Sequence, residues 1–194
     1  FPGTPEFPNA SSRPGPNLYT ESQVALDVRT GELDWYHQVI PHDIFDHDLI
    51  HSLLVDVKQN GKTRRIAVAT GKGGQVVGHD IDTGAPLWET LVGIHSNDNL
   101  TSLDGPTEVL PGTFGGVLTP AAAADGVVYV ATINAPSTYE PNVEENIGGN
   151  VGTMNGQVVA VDAATGAIVW DVVVPGDPTG GATVVNDLIL TATL

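Results

Sequence analysis

The chain contains no cysteine, which excludes disulfides and thiolate metal sites within it but leaves its compartment open. Basic residues are also scarce, because seven Lys and Arg stand against 23 Asp and Glu, for a formal net charge of -16. Every basic residue lies at or before Lys72. So acidic a surface repels nucleic acid and anionic lipid, and it favours solubility and cation binding. Adaptation to salt is the alternative explanation of this acidity.

Long apolar runs are missing as well. No stretch approaches the roughly 18 to 20 apolar residues of a membrane span, and no signal segment opens the chain. We therefore expect no membrane span. The 194 residues could bury a sizeable core, yet neither end carries recognisable terminal features. This combination predicts an internal fragment of a longer protein.

No convincing helical period is found, and a hairpin pattern recurs instead. Residues 1–17 hold five prolines, a composition that favours a loop or an extended arm. Beyond it, the pattern Asp, two residues, Thr-Gly, three residues, Trp occurs at 27–35, 80–88 and 162–170. Each Gly can supply a turn conformation, and each Trp can pack its broad face between neighbouring sheets. The three copies therefore predict repeated structural units.

Further short strands separate these copies. We expect strands at 115–120 and 126–132 around an Asp125-Gly126 turn, strands at 180–185 and 188–192 around Asn186-Asp187, and surface loops at 93–114 and 135–155. The pattern predicts an all-β fold, a partial β-propeller of four-stranded antiparallel blades. One domain would span residues 1–194, with about two complete blades and two partial ones. Open edges would make it marginal or sticky in isolation.

The densest group of functional side chains lies at residues 41–48. Asp43, Asp46 and Asp48 offer hard oxygen donors at spacings suited to a loop around a cation such as calcium, and His42 and His47 lie between them. Two alternatives remain open. Asp residues after proline often only close turns in solvated loops, and the His and Asp side chains could instead bind a transition metal.

The repeated Ala-Leu-Asp, Thr-Gly, Trp pattern resembles the pyrroloquinoline quinone (PQQ) repeat of quinoprotein dehydrogenases. Assembly scaffolds of the BamB type share that repeat without being enzymes. A more specific resemblance, to the quinoprotein alcohol dehydrogenases, covers the run Arg-Pro-Gly-Pro-Asn-Leu-Tyr at 13–19, the hairpin at 25–35, and Pro-His-Asp-Ile-Phe-Asp at 41–46. The family has Pro-His-Asp, any residue, Trp, Asp at the last of these positions.

This resemblance implies the site residues. Asp46 falls on the family's proposed catalytic base and would also bind the metal, and Asp48 would add a second carboxylate ligand, as in the lanthanide-using enzymes. Lys72 falls where a Lys or Arg contacts the quinone. Gly180 and Gly181 resemble a Gly-Gly segment near the cofactor. The implied cofactors are PQQ and either calcium or a lanthanide.

The implied function is that of a fragment of a PQQ-dependent dehydrogenase that oxidises an alcohol, polyol or sugar by hydride transfer to a metal-bound quinone; the fragment alone would be inactive. Its electron acceptor would be a cytochrome c or a quinone, and its location periplasmic or extracellular. The alternative is a non-enzymatic PQQ-repeat propeller that serves as a binding or assembly scaffold. Three departures favour that alternative: Thr4 where many members have a metal-binding Asn, Pro16 for Asp, and Phe45 for Trp.

Overall fold

A computed structural model describes residues 13–59, 61–141 and 154–194. All regular elements in these ranges are β-strands. They are β1 (Ser22–Leu26), β2 (Leu33–Gln38), β3 (Leu49–Gln59), β4 (Lys62–Gly71), β5 (Gln75–Asp80), β6 (Pro86–Leu91), β7 (Thr107–Val109), β8 (Ala122–Ala124), β9 (Val127–Ile133), β10 (Ser137–Tyr139), β11 (Asn155–Asp162), β12 (Ile168–Pro175), β13 (Thr183–Val185) and β14 (Leu188–Leu190). Within the described part of the chain, no helix has the length and apolarity to cross a membrane.

The strands form two four-stranded antiparallel sheets and smaller pairs. One sheet has the order β3-β4-β5-β6, in which consecutive strands pair. The other has the order β12-β11-β9-β8, in which β9 pairs with β11 because β10 between them pairs with β7. The pairs β1-β2 and β13-β14 precede and follow them along the chain. The all-β class and the four-stranded blades of a partial propeller, both predicted from the sequence, are confirmed.

Successive sheets are joined by the tryptophan of the repeated pattern. Trp35 on β2 donates its indole Nε1–H to the carbonyl of Ile81 at 2.9 Å, in the turn between β5 and β6. Its ring lies over Gly84, where φ is +71° and a Cβ atom would overlap the indole. Glycine is therefore needed at position 84 for two reasons: the backbone is left-handed there, and the Trp35 ring leaves no space for a side chain.

The next joint has the same construction. Trp88 on β6 donates to the carbonyl of Ala163 at 3.0 Å, and its ring covers Gly166 in the turn between β11 and β12. Trp170 instead lies 5.9 Å from Tyr129, centroid to centroid, and 38% of its surface is exposed. The predicted packing of tryptophan between neighbouring sheets is thus confirmed for the first two copies of the pattern.

Two apolar clusters hold these elements together. The larger one fills the space between the four-stranded sheets with β-branched side chains, which suit a pleated surface. Its buried members are Val55, Val57, Ile66, Val68, Val76, Val92, Val117, Val128, Val130, Val159, Val161 and Ala163. The smaller cluster consists of Ile44, Phe45, Val109 and Tyr139, and it anchors residues 41–48 on β7 and β10.

The strand predicted at 115–120 is wrong, because the strand preceding the Asp125-Gly126 turn is β8 at Ala122–Ala124. Gly116 has a φ of +67° and Pro120 lacks an N–H, so neither suits a continuous ladder. Residues 116–117 run beside the end of β4 instead, where Val117 N donates to the carbonyl of Gly71 at 3.1 Å. The Asp125-Gly126 turn itself is confirmed.

The loops predicted at 93–114 and 135–155 are also only partly correct. They contain β7 and β10, three residues each, which pair antiparallel and place Ser137 opposite Val109. Strands this short carry too few residues to show an alternating pattern, and the partner lies about 30 residues away in the chain. Residues 1–12 of the predicted arm at 1–17 lie outside the described part of the chain.

Candidate functional site

Residues 41–48 form a buried loop whose shape depends on Asp43. One carboxylate oxygen of Asp43 accepts from the backbone N–H of Phe45 at 2.9 Å, and the other accepts from that of His47 at 2.7 Å. Asp43 is only 2% exposed. The turn-closing interpretation therefore accounts for this acid, which is committed to the loop backbone.

The loop rests on an aromatic base. The ring of Phe45 lies 4.9 Å from that of Tyr139, and the Tyr139 hydroxyl donates to the carbonyl of Phe45 at 2.8 Å. Burial is the main cause that raises the pKa of Tyr139, so its hydroxyl stays protonated. Phe45, the residue that departs from the family's Trp, is 1% exposed and part of this packing.

The two histidines of the loop bind separate carbonyl groups. His47 Nε2 lies 2.9 Å from the carbonyl of Pro111, and His42 Nδ1 lies 3.0 Å from that of Gly15. Both nitrogens must carry the proton, because a carbonyl only accepts. In residues 13–59, 61–141 and 154–194, no three His, Asp or Glu side chains gather as a metal site would require. The transition-metal alternative gains no support from this geometry.

Asp46 and Asp48 meet on the ammonium group of Lys72. The Nζ atom lies 2.5 Å from Asp46 Oδ2 and 3.1 Å from Asp48 Oδ2, and the Lys72 side chain is 9% exposed. Burial raises the pKa of Asp46, while the hydrogen bond from Lys72 opposes that rise. Asp46 also has a φ of 62°, a conformation that non-glycine residues rarely adopt.

The tight approach of two backbone segments brings these groups together. Lys72 N donates to the carbonyl of Asp48 at 2.9 Å, directly after β4 ends at Gly71. A Cβ atom on Gly71 would overlap that same carbonyl, so glycine is needed here for the contact. Gly116 packs in the same way on the carbonyl of Lys72. The positions of Lys72 and Asp48 are therefore fixed by backbone as well as by side chains.

Glu21 is an acid of this region that sequence reasoning missed. It precedes β1, is 0% exposed, and accepts from the backbone N–H of Leu49 at 3.3 Å through Oε2. Burial, followed by the charges of Asp43 and Asp48, raises the pKa of Glu21 to about 8. The sequence shows Glu21 only as an acid just before a strand. Such residues are usually exposed, so nothing in the sequence indicated its burial.

Gly180 and Gly181, predicted near the cofactor, lie at the entry to β13. Gly180 N donates to the carbonyl of Ala192 at 2.9 Å, and Thr119 donates its hydroxyl to the carbonyl of Gly180 at 3.3 Å. A Cβ atom on Gly181 would lie 3.2 Å from the carbonyl oxygen of Pro120. Gly181 therefore allows close packing against the segment before β8, and Gly180 against Ala192 after β14. The cofactor role of both glycines stays a prediction.

The donor chemistry of the cluster fits a hard cation. Asp46 and Asp48 present carboxylate oxygens, the ligands that calcium and similar ions prefer, and the pair already binds the positive charge of Lys72. Thr4, the residue in place of the family's Asn, lies outside the described residues. The protein is therefore a partial β-propeller with a charged, partly buried site formed by two carboxylates and a lysine on its loops.

Comparison with known proteins shows what the chain is similar to. Residues 3–92 match the family model described as "PQQ: Glucose/ethanol/alcohol dehydrogenase, beta-propeller domain". The quinoprotein alcohol dehydrogenase PedH of Pseudomonas putida is 36% identical over 73 residues, 37% of this chain and 12% of the relative. The lanthanide-dependent methanol dehydrogenase of Methylorubrum extorquens is 38% identical over 63 residues, 32% of this chain and 10% of the relative.

A solved structure agrees on the fold. The quinohemoprotein alcohol dehydrogenase ADHIIG of Pseudomonas putida HK5 superposes with a TM-score of 0.77 at 20% identity, over 91% of this chain and 33% of that one. The chain is therefore related to the PQQ-dependent alcohol dehydrogenases, and the resemblance found in its sequence is confirmed. It spans a third or less of the length of these relatives.

Proposed function

We propose that residues 1–194, as a single partial propeller domain, carry the base and part of the cation site of a PQQ-dependent dehydrogenase that oxidises an alcohol, polyol or sugar. One observation carries this proposal: the Lys72 ammonium joins Asp46 and Asp48 at 2.5 and 3.1 Å, on the loop that matches the family motif. The enzyme would work outside the cytoplasm and pass electrons to a cytochrome c or a quinone.

Asp46 would take the hydroxyl proton of the substrate. Its side chain is 26% exposed, so a small molecule can reach it, while the flanking Phe45 and His47 are buried. Burial raises the pKa of Asp46 and so its affinity for a proton, while the hydrogen bond and charge of the Lys72 ammonium favour the ionised carboxylate. These opposing influences suit a group that must accept a proton and release it again.

Asp46 and Asp48 would hold the cation, either calcium or a lanthanide, and Lys72 would direct its positive charge at the oxygens of the cofactor. PQQ, when bound, supplies the hydride acceptor. The ammonium is preorganised for such a contact because Asp46, Asp48 and the backbone at Gly71 fix its position. Gly180 and Gly181 would let the chain approach the cofactor closely.

The decisive experiment is Asp46→Asn in the full-length protein loaded with PQQ and metal. We expect kcat with simple alcohols to fall by about a hundredfold or more, because the amide keeps the shape of the side chain and cannot accept the proton. Dye-linked alcohol oxidation measures the rate, and quinone absorbance measures cofactor occupancy in the same sample.

Asp125→Asn is the matched control. Asp125 also has a left-handed backbone, with a φ of 51°, but it lies in the exposed turn between β8 and β9. Its substitution should leave kcat unchanged. Full activity in the Asp46 variant would disprove the catalytic assignment. Failure of the wild-type protein to bind PQQ with either metal would favour the scaffold function instead.

A further inference from the structure

The peptide groups on either side of Asp46 are both bound by side chains. Asp46 has a φ of 62°, a conformation that residues with a side chain rarely adopt, so contacts outside the residue have to maintain it. The peptide group before Asp46 contains the carbonyl of Phe45, and the one after it contains the N–H of His47. Because a peptide group is planar, binding both of these groups restricts rotation about the two main-chain bonds of Asp46.

Asp43 and Tyr139 bind one of these groups each. The carboxylate of Asp43 accepts from the N–H of His47 at 2.7 Å, and the hydroxyl of Tyr139 donates to the carbonyl of Phe45 at 2.8 Å. Asp43 belongs to the same loop as Asp46. Tyr139 lies on β10, 94 residues from Phe45, so its hydrogen bond ties the conformation of the loop to a different part of the fold.

The hydroxyl of Tyr139 is itself held in one direction. Tyr139 is 0% exposed, and Thr113 Oγ1 lies 2.9 Å from its oxygen. Because the single hydrogen of the Tyr139 hydroxyl goes to Phe45, Thr113 donates to Tyr139. The backbone N–H of Thr113 donates in turn to Ser137 Oγ at 3.0 Å, on the same strand as Tyr139. Hydrogen bonds thus connect β10 to the carbonyl next to Asp46.

We propose that Tyr139 is a positioning residue for the base Asp46: by binding the carbonyl of Phe45, it keeps the backbone of Asp46 left-handed and so fixes the direction of its carboxylate. The proposal rests on the proposed function, because it takes Asp46 as the base. The observed direction brings Asp46 Oδ2 within 2.5 Å of Lys72 Nζ. A reacting group displaced by about 1 Å can cost about a hundredfold in rate.

The test is Tyr139→Phe in the full-length protein loaded with PQQ and metal. This substitution removes the hydroxyl and keeps the ring that packs on Phe45. We expect kcat per bound quinone to fall by about tenfold or more, while the KM for a simple alcohol changes by less than about twofold, because the base is misplaced and substrate binding is not altered. Tyr129→Phe is the matched control, because Tyr129 lies on β9 and packs against Trp170, and it should match wild type.

A double variant separates positioning from packing. If Tyr139 acts through Asp46, Tyr139→Phe should lower the residual rate of Asp46→Asn by less than about twofold, since no base is left to misplace. An equal fold loss in both backgrounds would overturn the proposal and assign Tyr139 to loop packing. An unchanged kcat in the single variant would overturn it as well.

A crystal structure of Tyr139→Phe without PQQ adds a readout that does not depend on turnover. It should show Asp46 with a negative φ or in two conformers, and a single conformer with the φ of 62° found here would contradict the proposal.

Thr113→Val decides the question if Tyr139→Phe does not fold. It keeps the shape of the side chain and removes the hydrogen bond that orients the Tyr139 hydroxyl. We expect kcat to fall by about threefold or more, and an unchanged kcat would overturn the proposal. Full activity in Asp46→Asn would be a different result, because it would remove the base itself and with it this inference. Loss in Asp46→Asn without loss in Tyr139→Phe would overturn this inference alone.

Discussion

Asp46 and Glu21 both have backbone conformations that are strained for residues with a side chain. Their φ angles are 62° and 47°, in the left-handed region where each such residue costs on the order of 1 to 3 kcal/mol. Asp125 and Asn186 are found there too, but in ordinary turns between paired strands. Glu21 ends the turn that precedes β1, whereas Asp46 has no such turn and lies half-buried in the loop at 41–48, so at Asp46 the strain coincides with the candidate chemistry.

His79 is a buried base away from the candidate site. It is 0% exposed, its Nε2 lies 3.0 Å from His37 Nδ1, and its ring stacks at 6.1 Å on Trp35. Burial, followed by His37, lowers the pKa of His79 to about 4 from an ordinary value of 6.5. Folded His79 is therefore uncharged at neutral pH, and its contact with His37 joins β2 to β5.

The stability of the fold should depend on pH through this residue. In the unfolded chain His79 is protonated below about pH 6.5, whereas in the folded chain it is protonated only below about pH 4. Its contribution to the free energy of unfolding is therefore undiminished above pH 6.5, decreases as the pH falls from 6.5 to about 4, and is constant below. The total decrease is about 3 kcal/mol.

Urea unfolding over that pH range measures the effect. His79→Gln should lose this part of the pH dependence, because the amide does not titrate. His42→Gln should retain it, because His42 is half-buried and its ring contacts the carbonyl of Gly15, which is not part of the His37–His79 pair. The same slope in wild type and in His79→Gln would show that His79 does not cause it.

Among the elements, the turns of the repeat show what the sequence predicts well. The spacing of Asp, Thr-Gly and Trp fixes a hairpin locally, and the glycines at 31, 84 and 166 all have positive φ. These hairpins were predictable because all the residues of one pattern, from its Asp to its Trp, lie within about nine positions of each other in the chain.

The loop at 41–48 shows what the sequence cannot predict without a known relative. Its partners lie far along the chain: Lys72 is 26 residues from Asp46, and Tyr139 is 94 residues from Phe45. The family resemblance picked out Asp46, Asp48 and Lys72 as site residues. It did not predict the ion pairs between Lys72 and the two acids. Glu21 was missed because only tertiary packing makes it buried.

The turn glycines provide a test of the joints between sheets. Gly31 and Gly166 have φ values of +74° and +78°, but a Cβ atom at Gly31 meets nothing within 4 Å, whereas one at Gly166 would lie 2.8 Å from the Trp88 ring. Gly31→Ala should lower the free energy of unfolding by about 1 kcal/mol, the conformational effect alone. Gly166→Ala should lower it by about 2 kcal/mol more.

Chemical denaturation of the two variants measures this difference directly. Trp88 fluorescence should change only in Gly166→Ala, because the ring must move away from the turn. Equal destabilisation by both substitutions would show that the Trp88 contact does not hold the sheets together.

For the whole molecule, the most consequential surface is the outer edge strand β12. Val169, Val172 and Val173 are 56%, 53% and 65% exposed, and among the described residues the strand pairs only with β11. An apolar edge with free backbone groups is a template for association with another strand. The exposed Leu188 and Leu190 on β14 extend the apolar surface of this part of the chain.

The 194-residue chain, prepared by itself, should therefore self-associate. Val173→Lys should raise the concentration at which association begins by about tenfold, because a charge must be desolvated when the edges pair. Val28→Lys is the control, since Val28 is 98% exposed in the turn after β1. Analytical ultracentrifugation measures both, and equal behaviour of the two variants would locate the contact elsewhere.

The joints between sheets all face the same way along the chain. Trp35 reaches forward to the turn at Ile81, and Trp88 reaches forward to the turn at Ala163. Each of these two joints is formed by the tryptophan of one unit and the glycine turn of the next. Duplicating a whole unit would duplicate both halves of such a joint, so a gene encoding this array could gain a copy without a new kind of joint having to evolve.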